Sequence, residues 1–163
     1  MDGRATNWFR WTVTRTTRVE FDFHTAATPE EVVELLTDFS SDRPKRWPAL
    51  SPTWYEVYEV GTTTADVREG QDKPVMWARE QYDWSTPGTV TWTVSDSSDL
   101  APGSFVSLTA TASPNGGSDV HGTWERGAKT AKARLILVVM RVAGRRVLGN
   151  YFKKVYDDLA AQR

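Results

Sequence analysis

Hydrophobic and polar positions follow two periods along this chain, and the period changes twice. Residues 19–24 alternate apolar and polar side chains with a period of two, which indicates a half-buried strand. Thr28, Pro29 and Glu31 then form a helix N-terminal signal, and the apolar residues that follow recur at helical spacing. The pattern therefore predicts a first strand and a short amphipathic helix that ends near Asp38.

The proline-containing residues 42–48 leave room for one more turn of helix and nothing longer. Six segments beyond them are rich in Val, Thr, Trp and Tyr, the residue types that favour strands. They span residues 54–60, 63–69, 75–84, 89–96, 104–112 and 119–126. Turn signals such as Pro87-Gly88 and Pro102-Gly103 separate them, so we expect a six-stranded antiparallel meander.

After Gly127 the period returns to about 3.6, which predicts a long C-terminal amphipathic helix. A single apolar stripe is expected to consist of Leu135, Val138, Val139, Val142, Gly149, Phe152, Tyr156 and Leu159. A seven-stranded antiparallel sheet needs one face covered, and only this helix is long enough to cover it. We therefore predict an α+β fold: a curved seven-stranded antiparallel sheet wrapped around the C-terminal helix, with one or two short helices between the first and second strands.

Length and composition refine this picture without changing it. A chain of 163 residues with 39% hydrophobic and 25% charged residues is typical of one globular domain. Residues 1–14, which contain Trp8, Phe9 and Trp11, have no clear period, so we expect an N-terminal extension followed by a single domain over residues 15–163. The net charge of −1 hides an asymmetry, because residues 128–163 carry nine Lys and Arg against two Asp.

Several function classes are excluded or disfavoured. The chain has eight Trp, two His and no Cys. The absence of Cys excludes disulfides, thiolate metal sites and cysteine nucleophiles. With no dinucleotide-binding fingerprint and no cluster of metal ligands, no cofactor is expected. No apolar run is long enough for a membrane span and no secretory signal is present, so we expect a cytoplasmic protein.

The basic C-terminal segment raises binding to nucleic acid or to a membrane surface. No nucleic-acid-binding motif accompanies it and the sequence pI is near 6.1, so we expect no nucleic-acid partner. Transient contact with a membrane surface stays open as an alternative, as do a monomer and a homodimer.

The order of elements resembles the SRPBCC superfamily, also called START-like or birch-pollen-allergen-like, and within it the polyketide cyclase/dehydrase and lipid-transport-like proteins. The resemblance covers about residues 15–162. The segments that carry it are residues 19–23, Thr28 to Val32, Trp47-Pro48, residues 77–84, and Pro102 to Ser104. It implies a helix-grip fold with an elongated apolar cavity between the sheet and the C-terminal helix.

That cavity is where we place the candidate site. The expected lining residues are Phe21, Phe23, Trp77, Arg79, Gln81, Trp92, Val94, Leu108, Trp124 and Val142. Strand 75–84 leaves two alternatives, because Trp77, Arg79 and Gln81 share one face while Ala78, Glu80, Tyr82 and Trp84 share the other. A two- or four-residue loop around Pro87-Gly88 places the Arg79 row inside, and a three- or five-residue loop reverses this.

The function predicted from these features is the binding of a hydrophobic small molecule such as a lipid, a polyketide or an aromatic metabolite. The alternative is a cofactor-independent polyketide cyclase/aromatase or dehydratase with Arg79 and Tyr82 as catalytic residues. In the aromatase/cyclases that the chain resembles, an arginine on the corresponding strand stabilises enolate charge, although alignment on Trp77 places Gln81 rather than Arg79 at that position. The carboxylates of Asp66, Glu69, Glu80 and Asp83, and both histidines, are expected on solvated surfaces.

Overall fold

The computed structural model describes residues 16–162, so the predicted N-terminal extension lies outside the described residues. Seven strands and three helices follow one another in the predicted order. Their bounds are β1 Thr16–Thr25, α1 Pro29–Thr37, α2 Arg43–Arg46, β2 Glu56–Val60, β3 Thr64–Asp72, β4 Val75–Asp83, β5 Thr89–Ser97, β6 Phe105–Ala112, β7 Ser118–Gly127 and α3 Ala131–Ala160. A single 3-10 turn, Pro52–Trp54, precedes β2. The α+β helix-grip architecture predicted from the sequence is confirmed.

All seven strands form one antiparallel sheet with the order β1-β7-β6-β5-β4-β3-β2. The six later strands form the predicted meander, and β1 closes the other side by pairing with β7. In that pairing Phe21 lies opposite Gly122, and a Cβ added to Gly122 would lie only 2.2 Å from Cζ of Phe21. The Phe21 ring thus occupies the space above a glycine.

The short helices lie where the capping signals predicted them. The Thr28 hydroxyl accepts from the Glu31 amide at 3.3 Å, and the Glu31 carboxylate accepts from the Thr28 amide at 2.7 Å. Such a reciprocal capping box satisfies two amides that a helix start otherwise leaves unpaired. Helix α1 ends at Thr37 with Asp38 as its C-cap, as expected, and α2 is a single turn.

The C-terminal half of α3 is held against the sheet by stacked aromatic rings. Phe152 stacks on Phe21 with ring centroids 5.5 Å apart, and its centroid lies 6.3 Å from that of Phe23. Tyr156 is fully buried and donates from its hydroxyl to the carbonyl of Val32 at 3.2 Å. These contacts join α3, β1 and α1 into one core.

The N-terminal half of α3 contradicts the single apolar stripe. There the buried residues are Ala133, Leu137 and Gly144, and Gly144 packs closely against Val19 of β1. Because these residues turn one side of the helix inward and Gly144 brings it against β1, the valine-rich face points away from the sheet. Val142, expected in the cavity, is 87% exposed.

No helix in the described part of the chain is long and apolar enough to cross a membrane.

Candidate ligand-binding site

The register between β4 and β5 decides which face of β4 points toward the helix. Five residues, 84–88, connect Asp83 at the end of β4 to Thr89 at the start of β5. Tyr82 consequently pairs with Trp92, and Glu80 pairs with Val94. Of the two alternatives that the sequence left open, the odd-length loop is the correct one, and Ala78, Glu80 and Tyr82 face inward.

Arg79 therefore lies on the outer face of the sheet. Its guanidinium donates to both carboxylate oxygens of Asp66, at 2.8 and 2.6 Å, and lies 4.2 Å from the centroid of the Tyr58 ring. The Arg79 side chain is 43% exposed and Gln81 is exposed as well. The prediction that Arg79 and Gln81 line the cavity is wrong, because the five-residue loop reverses the face on which the prediction depended.

A cleft of about 440 Å³ lies between the inner face of the sheet and α3. Its apolar side chains come from the sheet, the segment after α2, and the helix. They are Ala49, Leu50, Met76, Trp77, Ala78, Trp92, Leu100, Val106, Trp124, Val147, Leu148, Tyr151 and Phe152. Glu69, Gly70, Gln71, Glu80 and Arg126 complete the lining.

Three of the expected lining residues, Trp77, Trp92 and Trp124, border this cleft. Four others, Phe21, Phe23, Val94 and Leu108, are buried in the packed interior without bordering it. The sequence pattern identifies which side chains face inward. It does not show where the interior is filled and where it is open, since that depends on how closely α3 approaches each strand.

A buried ion pair borders the cleft. Arg126 Nη2 donates to Oε1 of Glu80 at 2.9 Å, and both side chains are less than one-tenth exposed. Burial raises the pKa of Glu80 to about 7, with Arg126 opposing the shift and the nearby Glu69 adding to it. Arg126 Nη1 has no hydrogen-bond partner among the described residues. Glu80 thus changes protonation near neutral pH, beside a cation that is only partly satisfied.

A second buried ion pair, between Arg43 and Glu69, lies near the first, and Glu69 also borders the cleft. Arg43 Nε donates to Glu69, whose other oxygen accepts from the Tyr82 hydroxyl at 2.7 Å. The Arg43 guanidinium also donates to the carbonyl of Leu36 at 2.8 Å and to the Tyr82 hydroxyl at 3.2 Å. This network ties α1 and α2 to β3 and β4, and it gives Glu69 a cation and a neutral donor.

Tyr82, the second residue predicted to be catalytic, takes part in this network and does not border the cleft. Burial is the main reason that its pKa lies well above the usual value for tyrosine. The hydroxyl therefore stays protonated and holds Glu69 in place.

Surface assignments made from the sequence are partly correct. His24 and His121 lie on the surface beside Asp119 and Asp22, as predicted. Asp83 is exposed, but Glu69 and Glu80 are buried, which corrects the expectation that they belong to solvated strand faces. An isolated carboxylate on a strand is usually solvated, and only the register shows that these two share the inner face.

Arg126 and Arg43 were missed by the sequence analysis. The sequence pattern could have placed Arg126 on the inner face, because it continues the inner row of β7 at every second residue after Val120, Gly122 and Trp124. No sequence pattern could have placed Arg43, since its position depends on how α2 packs against β3. The described residues contain no group of three or more His, Asp and Glu placed to hold a metal ion.

Known proteins match this chain in structure but not in sequence. No protein-family model and no curated protein sequence matches this chain. Among solved structures, the Zhui aromatase/cyclase from Streptomyces superposes with a TM-score of 0.72 at 16% identity, over 91% of this chain and 96% of that one. Norcoclaurine synthase from Thalictrum flavum gives 0.68 at 10% identity, over 100% of this chain and 97% of that one.

A START superfamily protein from Mycobacterium smegmatis gives a TM-score of 0.62 at 10% identity, over 90% of this chain and 98% of that one. At such identities the likeness establishes the fold and nothing more specific. The chain has the helix-grip fold of the SRPBCC, or START-like, superfamily.

Proposed function

We propose that this protein binds an apolar small molecule in the cleft between the sheet and α3. The observation that carries the proposal is the cleft itself: about 440 Å³, bordered mainly by apolar and aromatic side chains, with the Glu80–Arg126 ion pair and Glu69 as its buried charged groups. Small-molecule sites usually have a volume of about 300–1,000 Å³ and combine apolar walls with few polar groups.

Aromatic side chains favour a ring-bearing ligand. Trp92 and Trp124 approach from the sheet, and Tyr151 and Phe152 from α3. Flat rings give extended contact area to another flat ring system. Among lipids, polyketides and aromatic metabolites, the last two fit this lining best, and the aromatase/cyclase among the structural neighbours supports the same class.

A second candidate function rests on Glu80. A carboxyl group with a pKa of about 7, bordering a cleft and paired with an arginine, is suited to general acid–base catalysis at neutral pH. In this mechanism the Glu80 carboxylate accepts a proton from carbon next to a substrate carbonyl. Arg126 stabilises the charge that develops on the enolate oxygen. The enolate carbon then attacks a second carbonyl carbon of the substrate, and Glu80 returns the proton to the alkoxide oxygen that forms there. As in the alternative predicted from the sequence, this enzyme needs no cofactor, but Glu80 and Arg126 take the place of Arg79 and Tyr82.

Binding of anilinonaphthalene sulfonate to the full chain tests the cleft. We expect the probe to bind and to quench the tryptophan fluorescence of Trp92 and Trp124. Ala78→Trp, which places a large ring in the cleft, should weaken binding at least about tenfold. Val60→Trp adds the same ring to an exposed position on β2 and serves as the matched control. Equal binding by both variants would contradict the proposal, and circular dichroism verifies that each is folded.

Glu80→Gln separates the two candidate functions. The substitution keeps the shape of the cleft but removes the titrating group. Retained probe binding is expected under either function. Turnover of a model polyketide substrate by the wild type that is lost in Glu80→Gln would establish the enzyme; no turnover by either protein would leave binding as the function.

A further inference from the structure

One face of α3 exposes large apolar side chains to solvent. Leu135 is 68% exposed, Val138 62%, Val139 57% and Val142 87%. Residues three and four positions apart share a helix face, so these four form one continuous stripe. A contiguous apolar surface of this kind marks an interaction site more often than ordinary solvated surface does.

A row of arginines runs along one side of the stripe. Arg134 and Arg141 each lie next to a stripe residue in the sequence, Arg145 follows Arg141 by four positions on the same side of the helix, and all three are exposed. Arg134 and Arg141 form no ion pair with any described residue, and Arg145 lies 3.9 Å from Asp22. Helix α3 carries no acidic residue before Asp157. The face is thus apolar along its ridge and cationic along its flank.

We propose that this face of α3 docks on the surface of an anionic lipid bilayer, with the helix lying in the plane of the interface. A helix with an exposed apolar ridge and adjoining arginines inserts the ridge between headgroups while the guanidinium groups pair with lipid phosphates. The exposed side chains of the ridge are all aliphatic, which suits insertion into a deformable apolar layer such as a bilayer.

The positive charge of the arginine row disfavours two other occupants of this face, a second copy of the chain and residues 1–15. A second copy of this chain would bring two arginine rows toward the same contact. Residues 1–15 carry three arginines and one aspartate, so that segment has the same sign as the flank. An anionic surface is the occupant that complements both the ridge and the flank.

Vesicle flotation with the full chain tests the proposal. We expect the protein to float with vesicles of phosphatidylglycerol and phosphatidylcholine, to bind pure phosphatidylcholine more weakly, and to lose binding as salt increases. The double variant Val138→Asp/Val142→Asp should abolish flotation. Val57→Asp/Val60→Asp introduces the same charge at exposed valines of β2 and should float like the wild type.

The arginine flank has its own variant. A basic side chain near an anionic membrane contributes about a fivefold change in partitioning, so Arg134→Gln/Arg141→Gln should weaken binding about 25-fold. None of the four substituted positions on α3 borders the cleft, so probe binding there should not change. The vesicle result is therefore independent of the function proposed above.

Four outcomes would overturn the proposal. The first is absence of wild-type flotation with phosphatidylglycerol, and the second is equal flotation of the α3 and β2 double variants. The third is a wild-type dimer in sedimentation velocity that Val138→Asp/Val142→Asp converts to a monomer, which would assign the face to a second copy. Deletion of residues 1–15 should leave vesicle binding in place; loss of binding on deletion would assign it to that segment instead.

Discussion

Glu80 and Arg126 form an ion pair across the concave face of the sheet, although β5 and β6 lie between their strands. Neighbouring strands are about 4.8 Å apart, so two long side chains meet across this gap only where the sheet curves strongly. The pair is buried and borders the cleft. The curvature of the sheet is therefore what allows a buried ion pair to form beside the cleft.

Removing the cation should destabilise the protein more than removing the pair. In Arg126→Met a buried carboxylate loses its partner, which typically costs about 3–5 kcal/mol. The loss should be smaller at pH 5 than at pH 8, because Glu80 is neutral at the lower pH. Urea unfolding of Arg126→Met and of Glu80→Gln/Arg126→Met measures both values. Unfolding free energies of the single variant no lower than those of the double variant would contradict this account.

The raised pKa of Glu80 predicts how stability depends on pH. The group has a pKa of about 7 in the folded protein against 4.5 for the unperturbed side chain. The folded state therefore holds a proton that the unfolded state releases, and stability falls as pH rises from about 4.5 to about 7. Over that window the contribution of Glu80 should decrease by about 2–3 kcal/mol.

Comparison of wild type with Glu80→Gln isolates this contribution. Other titrating groups are common to both proteins and cancel in the difference between their unfolding free energies. We expect the difference to change between pH 5 and pH 7.5 and to be flat above pH 8. Parallel stability curves across the whole range would show that Glu80 does not titrate there.

Period and turn chemistry were sufficient to predict the architecture, because strands, caps and hairpins depend on neighbours in sequence. The Thr28 capping box and the Pro87-Gly88 turn needed no tertiary information. The site depends on longer-range geometry. Whether Arg79 or Glu80 faces inward depended on one residue of loop length, and the open space depends on where α3 touches β1.

Long-range packing also explains why the apolar stripe predicted for α3 is wrong in its N-terminal half. A regular apolar stripe predicts which residues share a face, but not which end of the helix is covered. Gly144 brings the helix close to Val19, and from there to the N-terminus a different face is buried. The apolar residues left outside are visible only once that contact is known.

Arg79 provides a direct test of the register. Because its guanidinium lies on the outer face and pairs with Asp66, Arg79→Ala should leave probe binding in the cleft within about twofold of wild type. An exposed pair of this kind contributes little to stability, so the variant should unfold much as the wild type does. Isothermal titration of the variant, with Arg126→Met as the inward-facing comparison, measures the effect. Loss of binding in Arg79→Ala alone would mean that the wrong face of β4 has been assigned to the cleft.

Tyr82→Phe tests whether the Tyr82 hydroxyl has a supporting role or a catalytic one. Tyr82→Phe removes the hydrogen bonds to Glu69 and Arg43 and leaves the ring that stacks on Trp92. We expect a loss of about 1–3 kcal/mol in unfolding free energy, because a buried carboxylate loses a donor. Probe binding should persist. A variant as stable as the wild type but without turnover would support the catalytic role that the sequence first suggested.

Gly122 tests how tightly β1 and β7 pack under α3. Gly122→Ala places a Cβ within 2.2 Å of the Phe21 ring, which is itself stacked on Phe152 and cannot move freely. Overpacking of this kind costs about 1–3 kcal/mol, so thermal unfolding should shift downward. Phe21→Leu in the same chain frees the space above residue 122, and Gly122→Ala should then cost less than it does in the wild type. A full penalty in both backgrounds would mean that the backbone at Gly122, and not the ring above it, requires glycine.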